Sequence, residues 1–294
     1  MDHGCTMEPL ENNPMQYHEE LQLALSLAKE AGALIMGLYN GPLHIEQKND
    51  AHDREPVTQA DMIANETIVQ GLARAFPDDG ILAEESVDTS RRLRKERVWM
   101  VDPLDGTNGF IDGNGDFAVQ IGLAQQGACV LGVVYQPVSG AVYYAVRGGG
   151  TWIQSPHSAP KRARVSANDD LNKMTLAASR SHRSPRMDQV VNALGVTKEV
   201  KRGSVGVKVG LIIEQQCDLY VHLSSRTKQW DTCAPDIILN EAGGSLTDLF
   251  GAPLRYNDSE IQNRNGLVAS NGFAHEQILS KLSPLLRTFG RVPV

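Results

Sequence analysis

Between Phe117 and Ile153 four strand-like runs follow one another closely: Phe117–Ala124, Cys129–Tyr135, Ala141–Val146 and Thr151–Ile153. The short connections between them carry Gly and Pro, the residues that set up tight turns. This spacing predicts consecutive antiparallel hairpins, and so a sheet that needs a layer packed upon it. The rest of the chain supplies such layers. Leu21, Ala24, Leu25, Ala28, Ala31, Leu34, Ile35 and Leu38 recur at helical spacing over His18–Leu38, ending near Gly41–Pro42. A second helix is expected over Gln59–Phe76, with Ile63, Ile68, Leu72 and Ala75 inward and Pro77 and Gly80 as stops. Strands are expected at Ile81–Ala83 and Val98–Val101. In the second half, strands at Thr175–Ala178, Leu219–His222, Ser245–Asp248 and Leu267–Ala269 alternate with helices near Arg186–Leu194, Val205–Gln215, Asp231–Glu241 and Gly272–Leu286. The pattern is a layered α/β (α+β) fold. Ser155–Lys161, with Pro156 and Pro160, is the expected boundary, giving a flexible tail at 1–15, an α+β unit at 16–155 and an α/β unit at 156–294.

Charge and cysteine usage narrow the function classes. A net charge of −7 over 294 residues makes a general nucleic-acid binder a poor fit, since affinity for a phosphate backbone is built from Lys and Arg. A small anionic substrate would have to be met locally, by metal ions or a few basic side chains. Cys5, Cys129, Cys217 and Cys233 are scattered with no C-x-x-C pair, which points to a reducing compartment and no structural zinc. The opening residues lack a signal-peptide layout and no run of 18 apolar residues occurs, so a cytoplasmic protein without a membrane partner is expected.

The chemistry concentrates at Val101-Asp102-Pro103-Leu104-Asp105-Gly106-Thr107. Two carboxylates three residues apart follow an apolar strand; Pro103 stiffens the turn, and both carboxylates with the Leu104 carbonyl can converge on one hard divalent cation. Gly106 allows close backbone approach, and a helix starting there would aim amides of Gly106 and Thr107 at an anion. Two residues separate the carboxylates, one more than in phosphatases that form an aspartyl-phosphate, so that mechanism is rejected. Glu84-Glu85 follows its own short strand, and Asp231 stands where a helix begins. Taken singly, Asp231 reads as an N-cap and Glu84 as a solvated surface residue. Together with Asp102 and Asp105 they make the four-carboxylate set that a two-metal phosphoryl site requires.

At these residues the chain resembles the inositol monophosphatase superfamily: Pro56-Val57-Thr58-Gln59-Ala60-Asp61, Ala83-Glu84-Glu85-Ser86, Asp102 to Thr107, and Trp230-Asp231 with Ala234 and Gly243-Gly244. The resemblance implies an αβαβα sandwich, two or three Mg²⁺ ions and sensitivity to lithium. It implies that Glu84, Asp102 and the Leu104 carbonyl hold one metal, and that Asp102, Asp105 and Asp231 hold another. Asp61 with Thr107 would orient and help deprotonate the attacking water, without a phosphoenzyme.

Within the superfamily the chain is most similar to the 3′(2′),5′-bisphosphate nucleotidases, through Lys48-Asn49-Asp50 (with Ala51–Glu55 inserted before Pro56), Asn114–Val119, Ser179-Arg180-Ser181-His182, Gly203–Lys208 and Lys228–Pro235. A second phosphate remote from the metals needs its own cation, and Lys208 is the first candidate, with Arg180 and His182 beside it. The substrate contacts implied are Gly106, Thr107, His182, Ser204, Lys208 and Asp231. Leu223–Gln229 contains no acidic residue to receive the hydroxyls of a polyol, which favours a doubly anionic nucleotide. His222 and Asn108 stand where many nucleotidases carry basic residues. The alternatives are an inositol monophosphatase or broad sugar phosphatase and, in another class, a non-catalytic metal-binding regulator; the retained set Asp61, Glu84, Asp102, Asp105, Thr107 and Asp231 argues against the last. A homodimer is compatible with an exposed sheet edge or helix pair. Arg91–Arg97 reads as a solvated basic face, Lys161–Arg164 as a strand edge, and Asp112, Asp116, Asp218 and Asp236 as structural.

Overall fold

The computed structural model describes residues 16–39, 41, 45–47, 56–180 and 184–294; for 45–47 it describes the backbone only. The expected tail, Lys48-Asn49-Asp50 with its insertion, and His182 lie outside the described residues.

The hairpin run forms the centre of a seven-stranded sheet. Its first two strands, β3 (Gly80–Ala83) and β4 (Arg97–Asp105), are parallel, and antiparallel pairing continues through β5 (Ala118–Gln125), β6 (Ala128–Gln136), β7 (Ala141–Val146), β8 (Gly150–Gln154) and β9 (Lys161–Ala163). A small ribbon of β1 (Ile45–Gln47) and β2 (Pro56–Thr58) precedes it. Helices α1 (His18–Leu38) and α2 (Gln59–Ala75) cover one face. By length and composition α1 could cross a membrane. Here its Ala24, Leu27, Ala28, Ala31 and Ile35 face is buried in one cluster with Ile68 and Leu72 of α2 and Val119, Ile121 and Val133 of the sheet.

A short helix α3 (Thr107–Ile111) follows β4. The second half builds a five-stranded sheet in the order β11-β10-β12-β14-β13, from β10 (Thr175–Ser179), β11 (Lys198–Arg202), β12 (Leu219–His222), β13 (Ser245–Thr247) and β14 (Leu267–Ser270). Helices α5 (Val205–Ile213) and α6 (Gln229–Glu241) lie between the two sheets in the largest core cluster. On the far face α4 (Pro185–Leu194) and α7 (His275–Thr288) bury Met187, Val190, Ile278 and Leu282. The layers run αβαβα, as the sequence reading expected.

Three features depart from, or extend, the sequence reading. Arg92 is not on a solvated face: it is 3% exposed, donates to Asp88, to Asn257 Oδ1 and to the Asp258 carbonyl, and so pins the loop before β4 to the second half. Arg97 is likewise bound, to Glu20 at 2.7 Å and Asp79 at 3.0 Å. Finally Cys129 and Cys233, far apart in sequence, meet as free thiols with sulfurs 3.2 Å apart, between β6 and α6.

Candidate metal-dependent active site

The first positioning device is in β4. In a regular strand, residues three apart point to opposite faces. Asp102 pairs with Gln120 and Asp105 with Ala118, so the segment 102–105 carries one residue more than its partner. That bulge falls at Pro103, which has no N–H to offer a ladder, and it turns both carboxylates toward the inner helices. Asp102 Oδ1 then accepts from Leu104 N at 3.0 Å. Asp105 Oδ2 accepts from Gln120 Nε2 (2.6 Å), Ser204 Oγ (2.5 Å) and Gly206 N (2.8 Å), which ties it to the start of α5.

Two N-terminal helix turns bring in the remaining acids. Asp61 is the third residue of α2; its Oδ2 accepts from Thr58 N (2.7 Å) and Thr58 Oγ1 (2.6 Å), while its Oδ1 accepts from Thr107 Oγ1 at 3.1 Å. Asp231 occupies the same position in α6, which begins two residues earlier than expected, and its Oδ2 accepts from Lys228 N at 2.7 Å. It is therefore not the N-cap that a local reading suggests. A carboxylate at N3 satisfies an orphan amide and still has its other oxygen to direct elsewhere. Glu84 arrives on the strand beside β4, its N donating to the Val101 carbonyl at 3.1 Å.

The result is that Glu84, Asp102 and Asp231, from three separate elements, place one carboxylate oxygen each within 4.8 Å of one another. Asp102 is 1% exposed, and its pKa is pushed well above the ordinary 3.8, by burial first and then by Glu84, Asp105 and Asp231. Burial also raises Asp61 and Asp105, the latter opposed by Ser204, Gly206 and Lys208. Clustered buried carboxylates of this kind are unfavourable unless a cation neutralises them. An all-oxygen donor set suits a hard ion such as Mg²⁺, so the residues present fit the metal that the resemblance implies.

Glu84, Asp102 and Asp231 line one cavity of about 180 Å³ with Leu104, Asp105, Gly106, Thr107, Ser204 and Lys208. Gly106 has φ +99° and a Cβ there would sit 2.4 Å from the Asp116 carbonyl, so only glycine fits. Ser204, expected as a substrate contact, donates to Asp105 and accepts from Val207 N as the N-cap of α5. Lys208 does not reach solvent: it is 4% exposed, its Nζ lies 4.5 Å above the Tyr220 ring, and burial lowers its pKa to about 8 against the pull of Asp105, Asp116 and Asp231. Tyr220, which the sequence reading did not single out, lines the same cavity with a buried hydroxyl that has no partner among the described residues. Its alternating strand position in Leu219–His222 was the one available signal.

Residues 16–287 match the inositol monophosphatase family. The chain belongs to that family. It is 36% identical to the 3′(2′),5′-bisphosphate nucleotidase CysQ of Salmonella typhimurium over 241 residues, 82% of this chain and 95% of that one. It is 29% identical to the mouse 3′(2′),5′-bisphosphate nucleotidase 1, covering 84% and 89%. Among solved structures, an IMPase of Thermotoga maritima superposes with a TM-score of 0.78 at 25% identity, over 92% of this chain and all of that one. CysQ of Bacteroides thetaiotaomicron gives 0.73 at 30% identity, over 87% and 98%. The chain is accordingly a phosphatase of a metal-dependent family, and the layered fold is that of its relatives.

Proposed function

We propose that this protein hydrolyses the 3′-phosphate of 3′-phosphoadenosine 5′-phosphate, and of its sulfated counterpart, giving AMP or adenosine 5′-phosphosulfate and phosphate. The convergence of Glu84, Asp102 and Asp231 beside the Asp61–Thr107 pair carries the reaction type. The identity to CysQ over 95% of that chain supports the nucleotide.

Glu84, Asp102, Asp105, Asp231 and the Leu104 carbonyl would hold two or three Mg²⁺ ions. When bound, these neutralise the phosphate oxygens, lower the pKa of water and stabilise the leaving oxygen. Thr107 Oγ1 donates to Asp61 Oδ1, which turns a lone pair of the hydroxyl toward the cavity. A water accepted there is aligned for attack; its proton passes to Thr107 while the threonine proton passes to Asp61. The Asp61 carboxyl, already raised by burial, is a better acceptor than an ordinary aspartate. A cytoplasmic location agrees with three buried free thiols, Cys129, Cys217 and Cys233.

Phosphate release with Mg²⁺ from 3′-phosphoadenosine 5′-phosphate, inositol 1-phosphate and fructose 1,6-bisphosphate tests the reading. The nucleotide should be turned over fastest. Preference for inositol 1-phosphate would replace the nucleotidase assignment by a polyol phosphatase. Absence of release from all three would remove the hydrolytic assignment for these substrates.

A further inference from the structure

Asp105 stands apart from the other acids. Glu84, Asp102 and Asp231 bring one oxygen each within 4.8 Å of one another, and Asp105 is outside that group. Its orientation is set through a single oxygen. Oδ2 accepts from Gln120 Nε2 at 2.6 Å, Ser204 Oγ at 2.5 Å and Gly206 N at 2.8 Å, whereas no hydrogen bond among the described residues reaches Oδ1. A carboxylate oxygen has two lone pairs to offer, so three donors fill Oδ2 and surround it with positive hydrogens. Only Oδ1 is left for a cation.

The two side-chain donors are held there against local preference. Gln120 is fully buried on β5, opposite Asp102 across the ladder, and its Oε1 has no partner among the described residues. Rotating the amide would not relieve this, because Oε1 would then face Asp105 Oδ2, acceptor against acceptor. A buried carbonyl oxygen without a donor is unfavourable, and an apolar side chain of the same length would avoid it. What the amide contributes is therefore its N–H at Asp105. Ser204 has φ +49°, a conformation that residues with a side chain rarely adopt. It sets Oγ where it accepts from Val207 N at 3.0 Å and donates to Asp105. An orphaned acceptor and a strained backbone thus serve the same oxygen.

Space is arranged around this contact as well. A Cβ on Gly206 would lie 3.2 Å from both Cδ and Oε1 of Gln120 and 2.9 Å from Val134 Cγ1. Glycine lets the first amides of α5 and the Gln120 side chain approach Asp105 together. The clamp joins β5 of the first half to the start of α5 in the second, and it is complete without substrate.

A carboxylate confined to one oxygen discriminates between hard cations. Mg²⁺ demands near-ideal octahedral geometry, which the narrow bite of a bidentate carboxylate distorts, whereas Ca²⁺ accepts roughly 6–8 oxygens and takes carboxylates through one oxygen or both. We infer that Gln120 is a positioning residue for metal choice: with Ser204 and Gly206 it fills Asp105 Oδ2, limits Asp105 to one oxygen and so favours Mg²⁺ over Ca²⁺. The inference deepens the proposed reading and rests on its assignment of Asp105 as a metal ligand.

Calorimetric titration of the metal-free protein with Mg²⁺ and with Ca²⁺, without substrate, tests it. Asp105→Asn marks the binding that depends on Asp105. Gln120→Met keeps the length of the side chain and removes its N–H. It should weaken that Mg²⁺ binding roughly 10-fold while Ca²⁺ binding falls by about 3-fold or less, so the preference for Mg²⁺ drops. Ser204→Ala takes a second donor from the same oxygen and should move the preference in the same direction, a separate route to the answer if Gln120→Met folds poorly. Equal losses for both ions would show a merely structural role and overturn the inference. If Asp105→Asn loses Mg²⁺ binding while the other two variants keep the wild-type preference, the inference fails and Asp105 stands as a ligand. If Asp105→Asn binds Mg²⁺ like wild type, the inference falls together with that part of the proposed reading. The nucleotide assignment is decided by the phosphate-release assay, and no outcome of these titrations depends on it.

Discussion

Replacing Asp102 by Asn removes the most deeply placed charge of the carboxylate cluster while leaving its shape. The amide keeps an Oδ1 to accept from Leu104 N, so the bulge in β4 need not move. In the metal-free wild type, burial and then Glu84, Asp105 and Asp231 raise the Asp102 pKa well above 3.8. An acid whose pKa is higher folded than unfolded binds its proton preferentially in the folded state. Stability is therefore lost as pH rises from the ordinary value toward the raised one, and stays lost above it. Metal-free Asp102→Asn should consequently melt higher than metal-free wild type at pH 8, and the gap should close on acidification. Mg²⁺ acts in the opposite direction. At 100 times its dissociation constant an ion adds about 2.7 kcal/mol to wild type. For a chain of this size that amounts to roughly 4 °C in Tm, whereas the variant should shift by about 1 °C or less and release no phosphate. Thermal melts at pH 5 and pH 8, with chelator or with Mg²⁺, read all of these. An Mg²⁺ shift in the variant equal to that of wild type, or a metal-free variant that melts lower at pH 8, would refute the reasoning.

Thr107→Val breaks the 3.1 Å bond to Asp61, so kcat should drop by ~10²–10⁴ with the Mg²⁺-induced melting shift intact, and Thr107→Ser should recover most of the rate. Gly132→Ala would bring a Cβ within 2.6 Å of the Ala234 carbonyl and Ile237 Cγ2. Pushing α6 off the sheet should cost about 1–3 kcal/mol in urea unfolding, and should raise the Mg²⁺ concentration needed for activity because α6 carries Asp231. Asp236 is held in the core by Tyr256 and Asn240, and burial pushes its pKa up to about 7. Its folded form takes up a proton that the unfolded form releases, so stability should decline between pH 3.8 and pH 7. Asp236→Asn should flatten that part of the urea-midpoint profile by up to about 4 kcal/mol, and an unchanged profile would contradict the assignment.

The sequence carried the elements whose signal is local. The 3.6-residue recurrence over His18–Leu38 and the hairpin spacing over residues 117–153 describe α1 and β5 to β8 with little adjustment. β11 escaped because Lys198-Glu199-Val200-Lys201-Arg202 has no apolar alternation; as an edge strand it can keep charges that an interior strand could not. Arg92 escaped for the converse reason: a run of like charges reads as solvated until its partners, Asn257 and the Asp258 carbonyl some 165 residues away, are known.

The candidate site divides the same way. The candidate carboxylates Asp61, Glu84, Asp102, Asp105 and Asp231 could be picked out locally, because each stands beside a turn or helix start whose chemistry is written in adjacent residues. Tertiary structure decided which of them meet: the bulge at Pro103 turns Asp102 and Asp105 to one face, and the order of the layers sets α6 against β4 so that Asp231 joins Glu84 and Asp102. It also buried Lys208, the lysine the sequence offers first for a second phosphate, and paired Asp116 with Arg180. Local pattern follows from backbone periodicity, which a single segment contains; convergence follows from sheet register and layer packing, which are properties of segments far apart in the chain.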